Sequence, residues 1–149
     1  MKLRDYKFGF NLSALVLFAL IMLPNIIWFC VPAQNDVLRG ESSTQILDIF
    51  ASIFQVATIA ALCILKNKNA EKLRFSVFLI ICGVFCALYY ICWIIYYCAV
   101  VHTTVLIGLS VFPCISFALY AVDRKNYIAL IPTVIFAVLH FTSTAINFF

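Results

Sequence analysis

The chain has 149 residues, of which 66% are hydrophobic and 11% charged, and its mean hydropathy is +1.11. Soluble domains carry charge on about a quarter of their residues, so this composition excludes an ordinary soluble fold and indicates a membrane protein. The formal net charge of +4 does not indicate nucleic-acid binding, because the basic residues stand in short segments between apolar stretches. A single domain over residues 1–149 is expected, since no Pro-, Gly- or Ser-rich linker divides the chain.

Five apolar stretches are long enough to cross about 30 Å of hydrocarbon as helices. In chain order they cover residues 8–31, 45–65, 75–99, 103–122 and 127–148. The third and fourth stretches run together almost without a break, but one helix over both would be far too long for a single crossing. The sequence therefore predicts an all-α bundle of five transmembrane helices, with a tight turn near residues 100–104.

The basic residues predict how this bundle is oriented. Nine of the ten fall in three groups, which are Lys2, Arg4 and Lys7, then Lys66, Lys68, Lys72 and Arg74, then Arg124 and Lys125. Lys and Arg next to membrane helices tend to stay in the cytoplasm. The groups thus predict a cytoplasmic N-terminus, an external loop over residues 32–44 and an external C-terminus. Membrane lipids with anionic headgroups are the expected partners of the basic groups.

The first apolar stretch has a second interpretation, a cleaved signal peptide, because basic residues precede it and Val31, Pro32 and Ala33 offer a cleavage site. The apolar region of a signal peptide normally has only 7–15 residues. This stretch is much longer and contains Trp28. We therefore favour a retained helix, and the short loops fit a bacterial inner membrane.

Polar side chains recur at helical spacing on two of the predicted helices. The second helix carries Asp48, Gln55 and Thr58, and the fifth carries Thr133, His140, Thr144 and Asn147. Residues three and four positions apart share one face of a helix. A polar group that faces hydrocarbon costs several kcal/mol, so the two faces are expected to meet inside the bundle.

Counting from the helix ends places several polar groups at one depth, between the midplane and the outer third of the bilayer. They are Asn25, Gln55, Tyr89, Tyr90 and His140. Convergence at one depth indicates an outward-facing pocket, and Trp93 and Asp48 complete the predicted ligand-binding set. The alternative is that these groups only satisfy one another as interhelical hydrogen bonds, each worth about 1 kcal/mol or less in a bilayer.

Signatures of catalysis or metal binding do not emerge from the sequence. His140 is the only ionisable residue well inside a predicted span, where it is either a neutral hydrogen-bonding group or a proton carrier. Metal ligation by Asp48, His102 and His140 has no supporting spacing such as HxxxH or HExxH. We therefore predict no metal site, no catalytic residues and no cofactor.

The seven cysteines contain no CxxC motif and lie within or beside the apolar stretches, where cysteine behaves as a small hydrophobic residue. Only Cys30 and Cys98 lie near the predicted external face, and whether they pair is left open. In length and helix number the chain resembles the translocator-protein family of five-helix membrane proteins. That family is rich in tryptophan whereas this chain has only Trp28 and Trp93, so no residue roles are inferred from the resemblance.

Three classes of function remain. The first is a protein that binds or transports a small, largely apolar or amphipathic molecule through the predicted pocket. The second is a non-catalytic accessory or regulatory subunit, whose partner is another membrane protein or a second copy of the chain. The third is an intramembrane enzyme acting on a lipid or quinone, which lacks paired carboxylates, a metal motif and a phosphate-binding loop.

Overall fold

The computed structural model describes residues 3–70 and 76–149, in which five long helices dominate. They are α1 (Leu12–Cys30), α2 (Gln45–Ile64), α3 (Val77–Tyr97), α4 (Thr103–Asp123) and α5 (Tyr127–Phe148). Each is long and apolar enough to cross a membrane, so the prediction of five such helices is confirmed. Lys2, Lys72 and Arg74, which contributed to the charge argument, lie outside the described residues, as does the predicted start of the third helix at residue 75.

The first helix begins later than the predicted position 8, because the preceding residues form a strand. Strand β1 (Tyr6–Phe8) pairs antiparallel with β2 (Leu65–Asn67), and two further backbone bonds join Gly9 N to Ile64 O (2.9 Å) and Asn11 N to Cys63 O (2.8 Å). The backbone groups of this segment are thus satisfied by the end of α2. A hydropathy profile does not detect strand pairing, so the sequence predicted too early a start for the first helix.

Side-chain caps and left-handed residues define the two short turns between helices. His102 Nδ1 accepts from Thr104 N (3.3 Å) at the start of α4, and Asn126 Oδ1 accepts from Ala129 N (3.2 Å) at the start of α5. Ala99 (φ 62°) and Lys125 (φ 51°) lie in the left-handed region that follows a helix end. These turns make α3, α4 and α5 consecutive antiparallel neighbours.

Helix α4 is the centre of the bundle. In an 18-residue apolar stretch of α4, 56% of the residues are buried inside the protein, whereas the share is 17–28% in the corresponding stretches of the other four helices. It packs between α3 and α5, α5 also packs along α2, and α1 contacts α2, α3 and α4. Gly108 permits the close approach of α3, since a Cβ there would lie 2.5 Å from Cys92 Sγ. Apolar residues cover the outward faces of the other helices, as at Ile53, Ile80 and Val138.

Asn126 ties together the end of the bundle that carries β1, β2 and the turn at residues 124–126, which we call the basic end. Its side chain is 2% exposed, and Nδ2 donates to Ala61 O (3.0 Å) and Leu65 O (2.9 Å). The same turn accepts a hydrogen bond from Asn67 Nδ2 at Lys125 O (2.8 Å). One amide therefore joins the end of α2 and the start of β2 to the first turn of α5.

We expect Asn126→Ala to lower the free energy of unfolding by roughly 2–4 kcal/mol, because Leu65 O and one helix N-terminal amide lose their side-chain partner and Ala61 O keeps only its bond from Leu65 N. Asn69→Ala is the matched control, since Asn69 is exposed at the same end and its side chain makes no hydrogen bond within the described residues. Thermal unfolding of both variants in the same detergent measures the difference. Equal unfolding temperatures would contradict this role of Asn126.

Candidate functional site

A cavity of about 320 Å³, which we call the inner cavity, lies between the helices in the half of the bundle away from the basic end. All five helices contribute to its wall. The polar side chains in that wall are Asn25, Asp48, Ser52, Gln55, Tyr89 and His140. Ile21, Leu109, Phe117 and Phe136 provide much of the apolar remainder. The wall thus combines apolar surface with a few polar groups, as in small-molecule binding sites.

Five of the seven predicted site residues come together here, namely Asn25, Asp48, Gln55, Tyr89 and His140. Residues near the polar faces predicted for α2 and α5 also meet, since the carboxylate of Asp48 accepts a hydrogen bond from Ser143 Oγ. The geometry places these groups around one space. That they bind a ligand stays a prediction.

Tyr90 and Trp93 are outside the wall of the inner cavity. Tyr90 turns toward α1 and donates to Leu20 O (2.7 Å). Trp93 packs among aromatic rings, with centroids 6.3 Å from Tyr89 and 5.8 Å from Tyr96, and its buried Nε1 has no hydrogen-bond partner within the described residues. Both side chains therefore contribute to packing between α1 and α3.

The polar groups of the inner cavity differ in whether they already have a partner. Asn25 Nδ2 donates to Tyr89 OH (2.7 Å) and to Ile21 O (3.0 Å). The amide of Gln55 and the ring of His140, both half-buried, form no hydrogen bond within residues 3–70 and 76–149. The His140 ring stacks on Phe136, with centroids 5.2 Å apart. An amide and an imidazole can each donate and accept, so Gln55 and His140 offer hydrogen bonds to an occupant of the cavity.

A larger outer cavity of about 750 Å³ adjoins the inner one, and Asp48 and His140 line both. Both carboxylate oxygens of Asp48 accept hydrogen bonds, from Ser42 Oγ and Ser143 Oγ. Glu41 adds a second carboxylate to the outer wall, and neither cavity has a Lys or Arg in its described lining. The route into the inner cavity is therefore acidic.

A polar cluster that the sequence did not predict fixes the loop beside the outer cavity. Asp36 accepts from Trp28 Nε1 (2.9 Å), Tyr96 OH (2.7 Å) and Arg39 Nε (2.9 Å). Burial opposes ionisation of Asp36, but the hydrogen bonds from these three side chains outweigh it and hold the pKa of the carboxyl below its ordinary value. Arg39 also lies over the Trp28 ring, 4.9 Å from its centroid. The cluster binds the loop to the ends of α1 and α3.

Other chemistry finds little support around these cavities. The described ranges, 3–70 and 76–149, contain no group of three or more His, Cys, Asp or Glu side chains placed to hold a metal ion. All seven cysteines are free thiols, including the exposed Cys30 and Cys98. No protein-family model, no curated protein and no solved structure matches the chain.

Asn25 has hydrogen-bond partners in the cavity wall, whereas Gln55 has none within the described residues, and a comparison of stabilities tests this difference. We expect Asn25→Leu to lower the free energy of unfolding by about 1 kcal/mol, because Tyr89, which is 2% exposed, loses the donor to its hydroxyl. Gln55→Leu removes an amide that has no hydrogen-bond partner in the part of the chain that the structure describes, so the unfolding temperature should stay equal or rise.

Thermal unfolding of both variants after removal of native lipid makes the comparison. Similar losses in the two variants would mean that Gln55 is already hydrogen-bonded inside the protein. Such a result would support the alternative in which the polar groups only hold the helices together.

Proposed function

We propose that this chain is an integral membrane protein, of the bacterial inner membrane, with its basic end in the cytoplasm. The apolar outward faces of the five helices support burial in lipid. Lys7, Lys66, Lys68, Arg124 and Lys125 lie at the basic end, as expected for a cytoplasmic face. The outer cavity then opens to the external side.

We propose further that the protein binds, or carries across the membrane, a small amphipathic molecule that occupies the inner cavity. The observation that carries this proposal is a pair of polar side chains, Gln55 and His140, that have no hydrogen-bond partner among the described residues and lie in the wall of an otherwise largely apolar cavity. Both side chains are half-buried in the cavity wall, and a polar group between helices normally finds a hydrogen-bond partner. An occupant that supplies those bonds accounts for both residues.

The residues that line the inner cavity also limit which kinds of molecule can occupy it. A volume of about 320 Å³ is at the small end of the range for ligand pockets, roughly 300–1,000 Å³. Ile21, Phe117 and Phe136 favour an apolar body, while Gln55 and His140 bind a polar end. With carboxylates along the entry and no cationic side chain in the described lining, a neutral or cationic molecule is favoured over an anionic one.

The orientation is tested by cysteine labelling in intact cells. In a background with Cys30→Ala and Cys98→Ala, an impermeant thiol reagent should label Phe149→Cys and leave Lys68→Cys unlabelled until the cells are permeabilised. The physical reason is that the two positions lie at opposite ends of the bundle. Labelling of Lys68→Cys in intact cells would invert or abolish the proposed orientation.

The ligand is tested by purifying the full-length protein in native lipid and identifying bound small molecules by mass spectrometry. We expect a compound enriched with the wild-type chain and reduced about tenfold by Gln55→Leu and by His140→Ala, since each variant removes a hydrogen-bonding group from the cavity wall. Gln34→Leu is the control, because Gln34 is an exposed amide in the loop.

Two outcomes would contradict the ligand proposal. One is that no compound is enriched with the wild-type chain, and the other is that the Gln34 control loses the compound equally. If instead a defined membrane protein co-purifies in fixed ratio, the accessory-subunit function replaces ligand binding.

A further inference from the structure

We propose that the basic end holds a second binding site, for the phosphate group of an anionic ligand. A cavity of about 280 Å³, the basic cavity, lies there, and four cationic side chains line it, which are Lys7, Lys66, Lys68 and Arg124. It shares no lining residue with the inner or outer cavity. The site therefore stands on its own observations, independent of the proposed ligand in the inner cavity.

Strand pairing places two of these cations side by side. Lys7 of β1 lies directly opposite Lys66 of β2. Like charges at opposite positions of an antiparallel pair are destabilising, and no carboxylate belongs to the described lining of the basic cavity. The two ammonium groups thus lack a counter-charge in the wall, and a bound anion supplies it.

Neighbouring contacts hold the other cations in place. Lys68 Nζ donates to Arg4 O (2.8 Å), and Arg124 forms an ion pair with Asp123 (2.7 Å). The aliphatic part of the Lys66 side chain lies beside Gly9, since a Cβ added at Gly9 would be 3.5 Å from Lys66 Cδ. The cationic wall is thus built into the ends of several elements, with positions set by backbone and side-chain contacts.

The start of α1 adds hydrogen-bond donors to the same wall. Asn11 and Ser13 line the basic cavity, and the side chain of Asn11 does not cap the first turn of α1. Ser13 Oγ already donates to Asn11 Oδ1 (2.8 Å), whereas Asn11 Nδ2 has no partner within the described residues and can donate to an anion. The first backbone N–H groups of a helix have no partner within the helix, and together with the helix dipole they favour an anion. Cationic side chains beside a helix N-terminus are the combination that binds phosphate.

A phosphate group fits this wall better than a single carboxylate. It carries up to two negative charges and several acceptor oxygens, which matches more than one ammonium group together with a helix N-terminus. The phosphate belongs either to a lipid headgroup, which the proposed membrane orientation brings to this end, or to a soluble phosphate compound. The same wall contacts serve both sources.

The test uses the full-length protein in detergent micelles, with two kinds of probe. Dioleoyl phosphatidic acid and dioleoyl phosphatidylcholine are titrated separately, and bound lipid is counted by native mass spectrometry. Sodium phosphate and sodium chloride are compared at equal ionic strength by thermal unfolding. We expect Lys66→Gln to weaken phosphatidic acid binding about fivefold, because one cation near the headgroup is lost.

Lys125→Gln is the matched control, since Lys125 is exposed at the same end and is not among the lining residues. The Lys125→Gln variant removes the same charge and should bind phosphatidic acid like the wild-type chain. The Lys66→Arg variant keeps the charge, so it should also bind like the wild-type chain and shows whether position 66 tolerates a change of side chain. Selective retention of phosphatidic acid supports a lipid headgroup. Stabilisation by sodium phosphate over chloride supports a soluble phosphate.

Two results would overturn the site. Equal weakening by Lys66→Gln and Lys125→Gln would show only diffuse attraction to the whole basic end. Failure of the wild-type chain to distinguish phosphatidic acid from phosphatidylcholine, with no response to sodium phosphate, would show that the basic cavity does not select the phosphate group of an anionic ligand. Neither result bears on the ligand of the inner cavity, which is measured by Gln55→Leu and His140→Ala.

Discussion

A polar group between apolar helices has no water to bond with, and this constraint organises the whole bundle. Asn126 satisfies it by donating to Ala61 O and Leu65 O where α2 ends, and Asn25 satisfies it by donating to the hydroxyl of Tyr89. Gln55 and His140 satisfy it differently, because their polar atoms face a cavity. The rule that explains the stability of the fold therefore also points to the candidate site, since Gln55 and His140, which form no hydrogen bond within the described residues, both line a cavity. Trp93 Nε1 departs from the rule within the described residues, and nothing in the structure satisfies that donor.

The bundle is built around α4, and α1 is attached to it by different means. Close packing at Gly108 brings α3 against α4, whereas α1 packs Ala14, Leu17 and Ile21 into the core and is further fixed by hydrogen bonds to its backbone oxygens. Tyr90 OH reaches Leu20 O, Tyr97 OH reaches Val31 O, and the strand pairing fixes the beginning of the chain. A helix held at separated points leaves room along its length. The inner cavity lies on this side of the core, where α1 contributes Ile21 and Asn25 to the wall.

Local pattern was enough to predict the number of helices, most of their ends and much of the cavity wall. Depth counting brought together Asn25, Gln55, Tyr89 and His140 because each predicted helix has a known rise per residue. It did not separate Tyr89 from Tyr90, since adjacent residues point about 100° apart and only the rotation of α3 decides which one faces inward. Strand β1 and the Asp36 cluster escaped prediction for another reason. The partner strand of β1 and the Tyr96 hydroxyl that joins Asp36 to α3 lie far away in the sequence, so no window along the chain contains both sides of these contacts.

Charge separates the two ends of the molecule in a way that limits what each proposed site can bind. The outer cavity has Glu41 and Asp48 in its wall, while the basic cavity has Lys7, Lys66, Lys68 and Arg124. An anion attracted to the basic cavity is repelled at the entrance to the inner cavity, and a cationic ligand of the inner cavity is repelled at the basic end. The two proposed sites therefore favour ligands of opposite charge, and no separate structural barrier is needed to keep those ligands apart. Asn11, the N-cap of α1, lines the basic cavity, and Asn25 of α1 lines the inner cavity. The same helix therefore contributes to both proposed sites.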